Sequence, residues 1–450
     1  MENVIAAAPH LTPAWAVVPF VGYLFLIAML PLVASRLWES NLSKLVLALV
    51  AGIPPVVYLV GQTHDGPALL LRTGFDYLAF MALLGALFAI SGGICLRGAL
   101  VGTPAVNTAF LAAGAVLASV IGTTGASALL IRPLLRANAH RPRATHLVVF
   151  FIFIVSNAGG LLTPLGDPPL FLGFLRGVPF TWTLRLLPAW ALVNGALLVL
   201  FAAFDQLSFV RQRGKPRPSR PSDPALEVGP LRVEGGLNLV WLLGIVGVVF
   251  ATGMLAAPMA GHPHLLTLLQ VAGMTLFAGL SWITTSRDLR QVNRFSWAPM
   301  IEVATIFLGV FVTMIPALSF LEQRGASLGI TQPWQFFWTS GALSSVLDNA
   351  PTYLTFASLA VGVTDGGTGV VAAGGIRALV SHPTGAQLLA AVSCGAVMMG
   401  AVTYIGNGPN FMVKAIAEQH RVRTPSFFGY VGWSGSILLP LFALVSHLFF

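Results

Sequence analysis

The sequence is short of charge and of cysteine. Only 9% of its 450 residues are Asp, Glu, Lys or Arg, whereas a soluble globular domain usually carries about 25%. The two cysteines, Cys95 and Cys394, lie in apolar stretches and suggest neither a disulfide framework nor a metal site. A phosphate-cradling loop of the Walker type is also missing, so ATP hydrolysis by this chain is not expected. The sequence therefore predicts no enzyme and no cofactor.

Apolar residues dominate what is present. They make up 56% of the chain, and the mean hydropathy is +0.83. Runs such as 15–32 and 237–256 are long enough to cross a hydrocarbon core of about 30 Å. The pattern predicts a polytopic membrane protein. The ten predicted spans are 13–33, 42–61, 75–95, 146–175, 183–203, 237–256, 264–284, 298–318, 386–413 and 427–448.

Two further apolar stretches, at about 106–137 and 333–362, are predicted to be re-entrant hairpins. Each is interrupted near its middle by a polar tip, at 123–127 and 348–352, and each arm is short for a full crossing. The alternative interpretation makes each first arm a complete span, which gives twelve spans.

Basic residues favour the hairpins. With ten spans and the N-terminus outside, 19 of the 24 lysines and arginines lie on the inner side. The five outer ones are Arg72, Arg176, Arg185, Arg324 and Arg377. This predicts a multi-pass membrane protein with both termini outside. The net charge of +9 then reflects orientation and contact with anionic lipid rather than nucleic-acid binding.

The chain also contains an internal repeat. Residues 160–171 match residues 400–411 at an offset of 240, with Gly, Thr, Gly, Pro and Phe identical. Each unit holds five crossings, an odd number, so the second copy is inverted. We therefore predict an all-α polytopic fold with two inverted-topology repeats, at 1–204 and 237–450, joined by a cytoplasmic linker at 205–236. Each repeat has one hairpin and one broken helix.

The broken helices are predicted at about 146–175 and 386–413. Gly166 and Pro168 interrupt the first, and Gly406 and Pro409 interrupt the second. Freed backbone groups cannot face lipid, so the breaks and the hairpin tips should meet around one substrate. The polar residues at these places are Thr123, Thr124, Ser127, Ser156, Asn157, Thr163, Asp167, Asp348, Asn349, Thr352, Thr403, Asn407 and Asn410.

Two of these candidates, Asp167 and Asp348, are acids. An ionised carboxylate is costly in apolar surroundings, which makes proton exchange feasible. A carboxylate that holds sodium and a proton in turn is a minimal antiporter. Either acid could instead be a helix cap. The tips alone leave cation and anion open, because their oxygens suit sodium and their amide and hydroxyl hydrogens suit a carboxylate.

These motifs resemble the ion transporter superfamily. The second tip, with Ser344-Ser345-Val-Leu-Asp348-Asn349-Ala-Pro351, resembles NhaD-type sodium/proton antiporters, and so does Ser156-Asn157-Ala-Gly-Gly160 followed by Thr163-Pro-Leu-Gly166-Asp167. The chain is also similar to the bacterial branch described as putative citrate transport, which implies a location in the plasma (inner) membrane of a bacterium. The resemblance implies a scaffold and a transport domain, elevator-like motion and a homodimer. The tips depart from the Ser-Asn-Thr motifs of the divalent-anion symporters.

The leading hypothesis is sodium/proton antiport. Asp167 and Asp348 would carry protons and sodium, and Asn157, Asn349 and Asn407 would add ligands, with no separate metal site. The expected partners are sodium, protons and the lipid bilayer. One alternative is cation-coupled transport of citrate or a dicarboxylate. The other is an arsenite-type anion efflux carrier, which an ATPase partner could drive.

Overall fold

A computed structural model describes residues 12–34, 40–63, 65–97, 101–212, 232–256, 258–259, 261–293, 295–366 and 369–450. The first half contains α1 (Val18–Val33), α2 (Asn41–Gln62), α3 (Gly66–Ser91), α4 (Pro104–Ile121), α5 (Thr123–Ala137), α6 (Thr145–Ile154), α7 (Pro168–Leu175) and α8 (Leu187–Gln212). The second half contains α9 (Leu237–Leu255), α10 (Pro263–Thr284), α11 (Arg287–Val292), α12 (Ala298–Arg324), α13 (Pro333–Ser344), α14 (Asn349–Asp365), α15 (Val370–Ser381), α16 (Pro383–Met399), α17 (Gly408–Gln419) and α18 (Phe427–Phe449).

Within the described residues, ten helices are long and apolar enough to cross a membrane. The prediction of an all-α polytopic membrane protein is therefore confirmed. Nine of the predicted spans overlap these helices. The tenth long helix is α4, which the sequence placed in a hairpin, whereas the predicted span 13–33 contains α1, of 16 residues, after a short 3-10 turn.

The first predicted hairpin is a pair of antiparallel helices, α4 and α5. Gly122 separates them with a φ of 82°, a conformation that favours glycine. The side-chain amides of Asn107, near the start of α4, and Asn138, just after α5, exchange hydrogen bonds of 3.0 and 2.8 Å. Both ends of the pair therefore lie together, so the chain returns to the end from which it came.

The linker prediction needs correction at both of its ends. Helix α8 continues to Gln212, so Asp205 is helical and fully buried rather than part of a linker. Its carboxylate forms an ion pair with Arg141 and lies 2.8 Å from Nε2 of His146, which explains how the charge is buried. Strand β2 (Arg232–Glu234) pairs antiparallel with β1 (Cys95–Arg97). The intervening residues 213–231 lie outside the described residues.

The helices form two groups. Helix α12 packs against α1, α2 and α3, and α10 packs against α3 and α9; these six helices form the frame. The core body comprises α4–α8, α13, α14 and α16–α18, which pack mainly against one another. The two broken segments are its centre, since 89% of the apolar window in Thr145–Leu162 and 83% of that in Pro383–Val402 are buried, against 17% to 56% elsewhere. The core body meets the frame where α14 packs against α12 and where α5 and α7 pack against α3.

Candidate functional site

Two helix breaks lie in the middle of the core body. Helix α6 ends at Ile154, and the chain passes through a 3-10 turn at Ala158–Leu162 before α7 begins at Pro168. Helix α16 ends at Met399, and a turn at Gly400–Val402 precedes α17. Each following helix has proline in its first two positions, where the missing N–H costs nothing. The prolines therefore mark the start of the second half-helix in each break.

The glycines of the breaks allow the backbone to fold back on itself. A Cβ on Gly166 would lie 2.0 Å from the carbonyl oxygen of Gly160, and a Cβ on Gly406 would lie 2.7 Å from that of Gly400. No larger residue fits either place without displacing backbone. The two breaks thus share one local structure, at positions separated by the repeat offset of 240.

The hydroxyls of Thr163 and Thr403 connect the breaks to the hairpins through hydrogen bonds. The Thr163 hydroxyl donates to the carbonyl of Ser119, at the end of α4, and accepts from the Leu165 amide at 3.1 Å. The Thr403 hydroxyl donates to the carbonyl of Ser345 and accepts from the Ile405 amide at 3.1 Å. Because both hydroxyls are occupied in this way, they hold the chain in place rather than face a ligand.

The carbonyls freed at the breaks find donors on α8 and α18. Trp190 Nε1 donates to Gly159 O at 3.1 Å, and Asn194 Nδ2 donates to Ala158 O at 3.3 Å. In the second half, Tyr430 and Ser434 donate to Ala401 O and Val402 O at 2.8 and 2.6 Å. Tyr430 and Ser434 follow Trp190 and Asn194 by 240 residues each. None of these four donors is among the residues predicted from the sequence, although the offset of 240 relates them in pairs.

Three buried asparagines join the two breaks. Asn157 Nδ2 donates to Asn410 Oδ1 at 2.7 Å, and Asn407 Nδ2 donates to Asn157 Oδ1 at 3.1 Å and to Ser156 O at 3.0 Å. Asn410 in turn donates to the carbonyls of Gly400 and Thr403 at 2.8 and 3.0 Å. The oxygens of Asn157 and Asn410 are therefore already used as acceptors, so both residues act as connectors.

Asp167 is the point where the first break meets both hairpins. Its Oδ1 accepts from Thr123 Oγ1 of the first hairpin at 2.7 Å, and its Oδ2 accepts from Asn349 Nδ2 of the second. Asn407 of the second break lies 3.5 Å from Oδ1. Asp167 is 1% exposed. One buried carboxylate is thus surrounded by neutral donors from three other segments.

The two carboxylates of the site have no basic side chain as a partner among the described residues. In the part of the chain that the structure describes, no lysine, arginine or histidine forms an ion pair with Asp167 or Asp348. Asp348 lies near enough for its charge to act on Asp167. The buried Oδ1 of Asn349 has no hydrogen-bond donor. An ionised carboxylate buried without a counter-ion is unstable, so this arrangement suits a proton or a metal cation at Asp167.

A family model described as putative citrate transport matches residues 9–450, nearly the whole chain. The chain belongs to the putative citrate transport family. No curated protein matches it. Together with the ten apolar helices, the family identifies a multi-pass membrane protein of a secondary transporter family.

The remaining residues that the sequence predicted for the site mostly make hydrogen bonds within their own segment or to a neighbouring one. Ser127 and Ser156 share a hydrogen bond of 2.8 Å between the first hairpin and the first break. Asp348 caps α14 by accepting from the Ala350 amide at 3.0 Å, and the Thr352 hydroxyl donates to the Asp348 carbonyl at 3.0 Å. Thr124 is half-buried and makes no described contact with Asp167. Its neighbour Thr123 makes that contact instead.

Proposed function

We propose that this member of the putative citrate transport family is an alternating-access transporter that exchanges sodium for protons at Asp167. The observation that carries the proposal is a fully buried carboxylate with hydroxyl and amide partners but no basic one. Protonation or sodium binding would each neutralise it. A carboxylate that binds the two ions in turn couples their movement in opposite directions.

The side chains around Asp167 divide into ligands and supports. The Asp167 oxygens and the free Oδ1 of Asn349 are oxygens of the kind that a sodium ion requires. Thr123 and Asn407 orient the carboxylate by donating to it. Asp348 adds a second acidic group, so a cation approaching Asp167 meets a negative field. We assign Asn157, Asn410, Thr163 and Thr403 to support, in contrast to the ion-binding role predicted for all four. Asn407, also expected as a ligand, orients the carboxylate instead.

Proteoliposomes with a preformed proton gradient test the proposal. We expect added sodium to collapse the gradient, and Asp167→Asn to reduce this response about tenfold or more because the substituted amide cannot exchange a proton. Asp288→Asn is the control, since Asp288 is an exposed carboxylate in α11. If Asp167→Asn responds to sodium like the unchanged protein, the proposal is wrong.

Citrate or dicarboxylate transport is the second candidate, and the description of the family model favours it. In that case Asp167 would bind the coupling cation, and the anion would bind beside it. The same vesicles distinguish the two functions. Sodium-dependent uptake of labelled citrate, without collapse of the proton gradient by sodium alone, would replace antiport by coupled uptake.

A further inference from the structure

The site is connected to a cluster of charges at one end of the core body. Two helices start at the site, where Asn349 at the beginning of α14 donates to Asp167, which directly precedes α7. Helices α7 and α14 pack against each other. Arg176 lies nine residues after Asp167, and Ser358 lies nine residues after Asn349. Nine helical residues correspond to a rise of about 13 Å. A displacement of the site therefore displaces both residues.

Arg176 and Ser358 each contact the frame. Arg176 Nε lies 3.4 Å from Oδ2 of Asp76 on α3, and both side chains are largely buried, at 22% and 12% exposed. Ser358 Oγ donates to Glu322 Oε1 on α12 at 3.0 Å, and Ser358 is 1% exposed. Two separate contacts thus join the core body to the frame, one just after the end of α7 and the other at Ser358, in the middle of α14.

The charges belong to one cluster. Arg72 and Arg176 both act electrostatically on Asp76 and on Glu322, and His264 acts on Asp76 as well. Asp76, Arg176 and Glu322 are buried or half-buried, so the attraction among them is weakly screened, whereas Arg72 and His264 are exposed. Two acids and two arginines drawn from α3, α12 and the end of α7 therefore favour the arrangement in which the core body and the frame are in contact here.

We propose that the Asp76–Arg176 ion pair, together with the Glu322–Ser358 hydrogen bond, closes the site toward the side on which α7 ends, and that both contacts break when the site opens to that side. The inference rests on the proposed alternating access but not on the identity of the ion. The predicted topology places this end outside. Alternating access requires contacts that form in one state and break in the other. The two contacts described here join the frame to α7 and α14, the helices that begin at the site.

Cross-linking tests whether the contact must open. In a chain carrying Cys95→Ala and Cys394→Ala, the pair Asp76→Cys and Arg176→Cys is joined in proteoliposomes by a short bifunctional methanethiosulfonate, which forms a reducible disulfide with each cysteine. We expect the cross-link to lower transport of sodium or citrate about tenfold or more, because the minor open state becomes inaccessible. Reduction of the cross-link should restore transport. The control pair is Lys44→Cys and Glu302→Cys, which replaces a 2.6 Å ion pair within the frame. Equal transport before and after linking Asp76→Cys to Arg176→Cys would overturn the lock.

Thiol labelling provides a second readout that needs no transported ion. Thr73 lies one turn before Asp76 on α3 and is 6% exposed, so Thr73→Cys reports opening at this end. We expect Asp76→Asn to raise its labelling rate by an impermeant maleimide about threefold or more, and Asp76→Glu to leave the rate close to the unchanged value. Equal rates in all three backgrounds would contradict the lock, whereas failure of sodium/proton exchange alone would not affect this result.

Discussion

At the scale of single residues, the polar groups of the site differ in what their atoms are free to do. Asn157 and Asn410 carry the same side chain as Asn349, but their side-chain oxygens accept hydrogen bonds from neighbouring amides. The Oδ1 of Asn349 is buried without a donor. A buried acceptor without a partner costs free energy that a bound cation would recover. Ligand and connector roles therefore depend on hydrogen-bond partners rather than on residue type.

Asp348 combines a capping role with a charge, and two substitutions separate them. Asn caps a helix as well as Asp does, whereas Ala does not. We expect Asp348→Ala to lower the stability by about 1 kcal/mol and Asp348→Asn to leave it nearly unchanged. Melting temperatures in detergent check this. If the charge contributes to ion binding, both variants show weaker sodium-dependent collapse of the proton gradient. An equal loss of stability in both variants would contradict the capping role.

At the scale of elements, each half of the chain builds its break in the same way. A half-helix ends, a 3-10 turn follows, and a residue in extended conformation precedes the proline-containing start of the next half-helix. Asp167 and Asn407 occupy this extended position in the two halves. The repeat therefore places one acid and one amide at equivalent points, which makes the site chemically asymmetric.

The glycines of the breaks provide a test at this scale. A Cβ on Gly166 would lie 2.0 Å from a backbone oxygen, so we expect Gly166→Ala to destabilise the protein by about 2 kcal/mol or more and to abolish transport. The control is Gly195→Ala in α8, where a Cβ meets nothing within 4 Å and helix propensity improves by about 1 kcal/mol at most. Thermal melting in detergent distinguishes the two. An unaltered melting temperature for Gly166→Ala would mean that the close approach is not required.

At the scale of the whole molecule, two polar clusters differ in which helices they join. Asp205, Arg141 and His146 join helices within the core body. Asp76, Arg176 and Glu322 join the core body to the frame. The first cluster stabilises one unit, and the second connects two units that the proposed mechanism requires to move. This difference makes the second cluster the place where conformation and charge are coupled.

Membrane orientation gives a prediction for the whole molecule. The distribution of lysine and arginine predicts that residue 211 faces the inside and residue 327 the outside. In the background without native cysteines, we expect Ser327→Cys to react with an impermeant maleimide in intact cells, and Arg211→Cys to react only after permeabilisation. Both positions are exposed in the structure. The reverse pattern would invert the topology while leaving the fold unchanged.

The sequence by itself determined the class of fold and the positions of both breaks. Low charge, long apolar runs and glycine with proline at the repeat offset act locally, through the cost of burying charge and the loss of helical hydrogen bonds. Only the tertiary structure decided that Thr123 and Asn349 meet at Asp167, that Asn157 is a connector, and that Asp205 is helical and paired. These contacts join segments far apart in the chain, and their partners depend on how the helices pack.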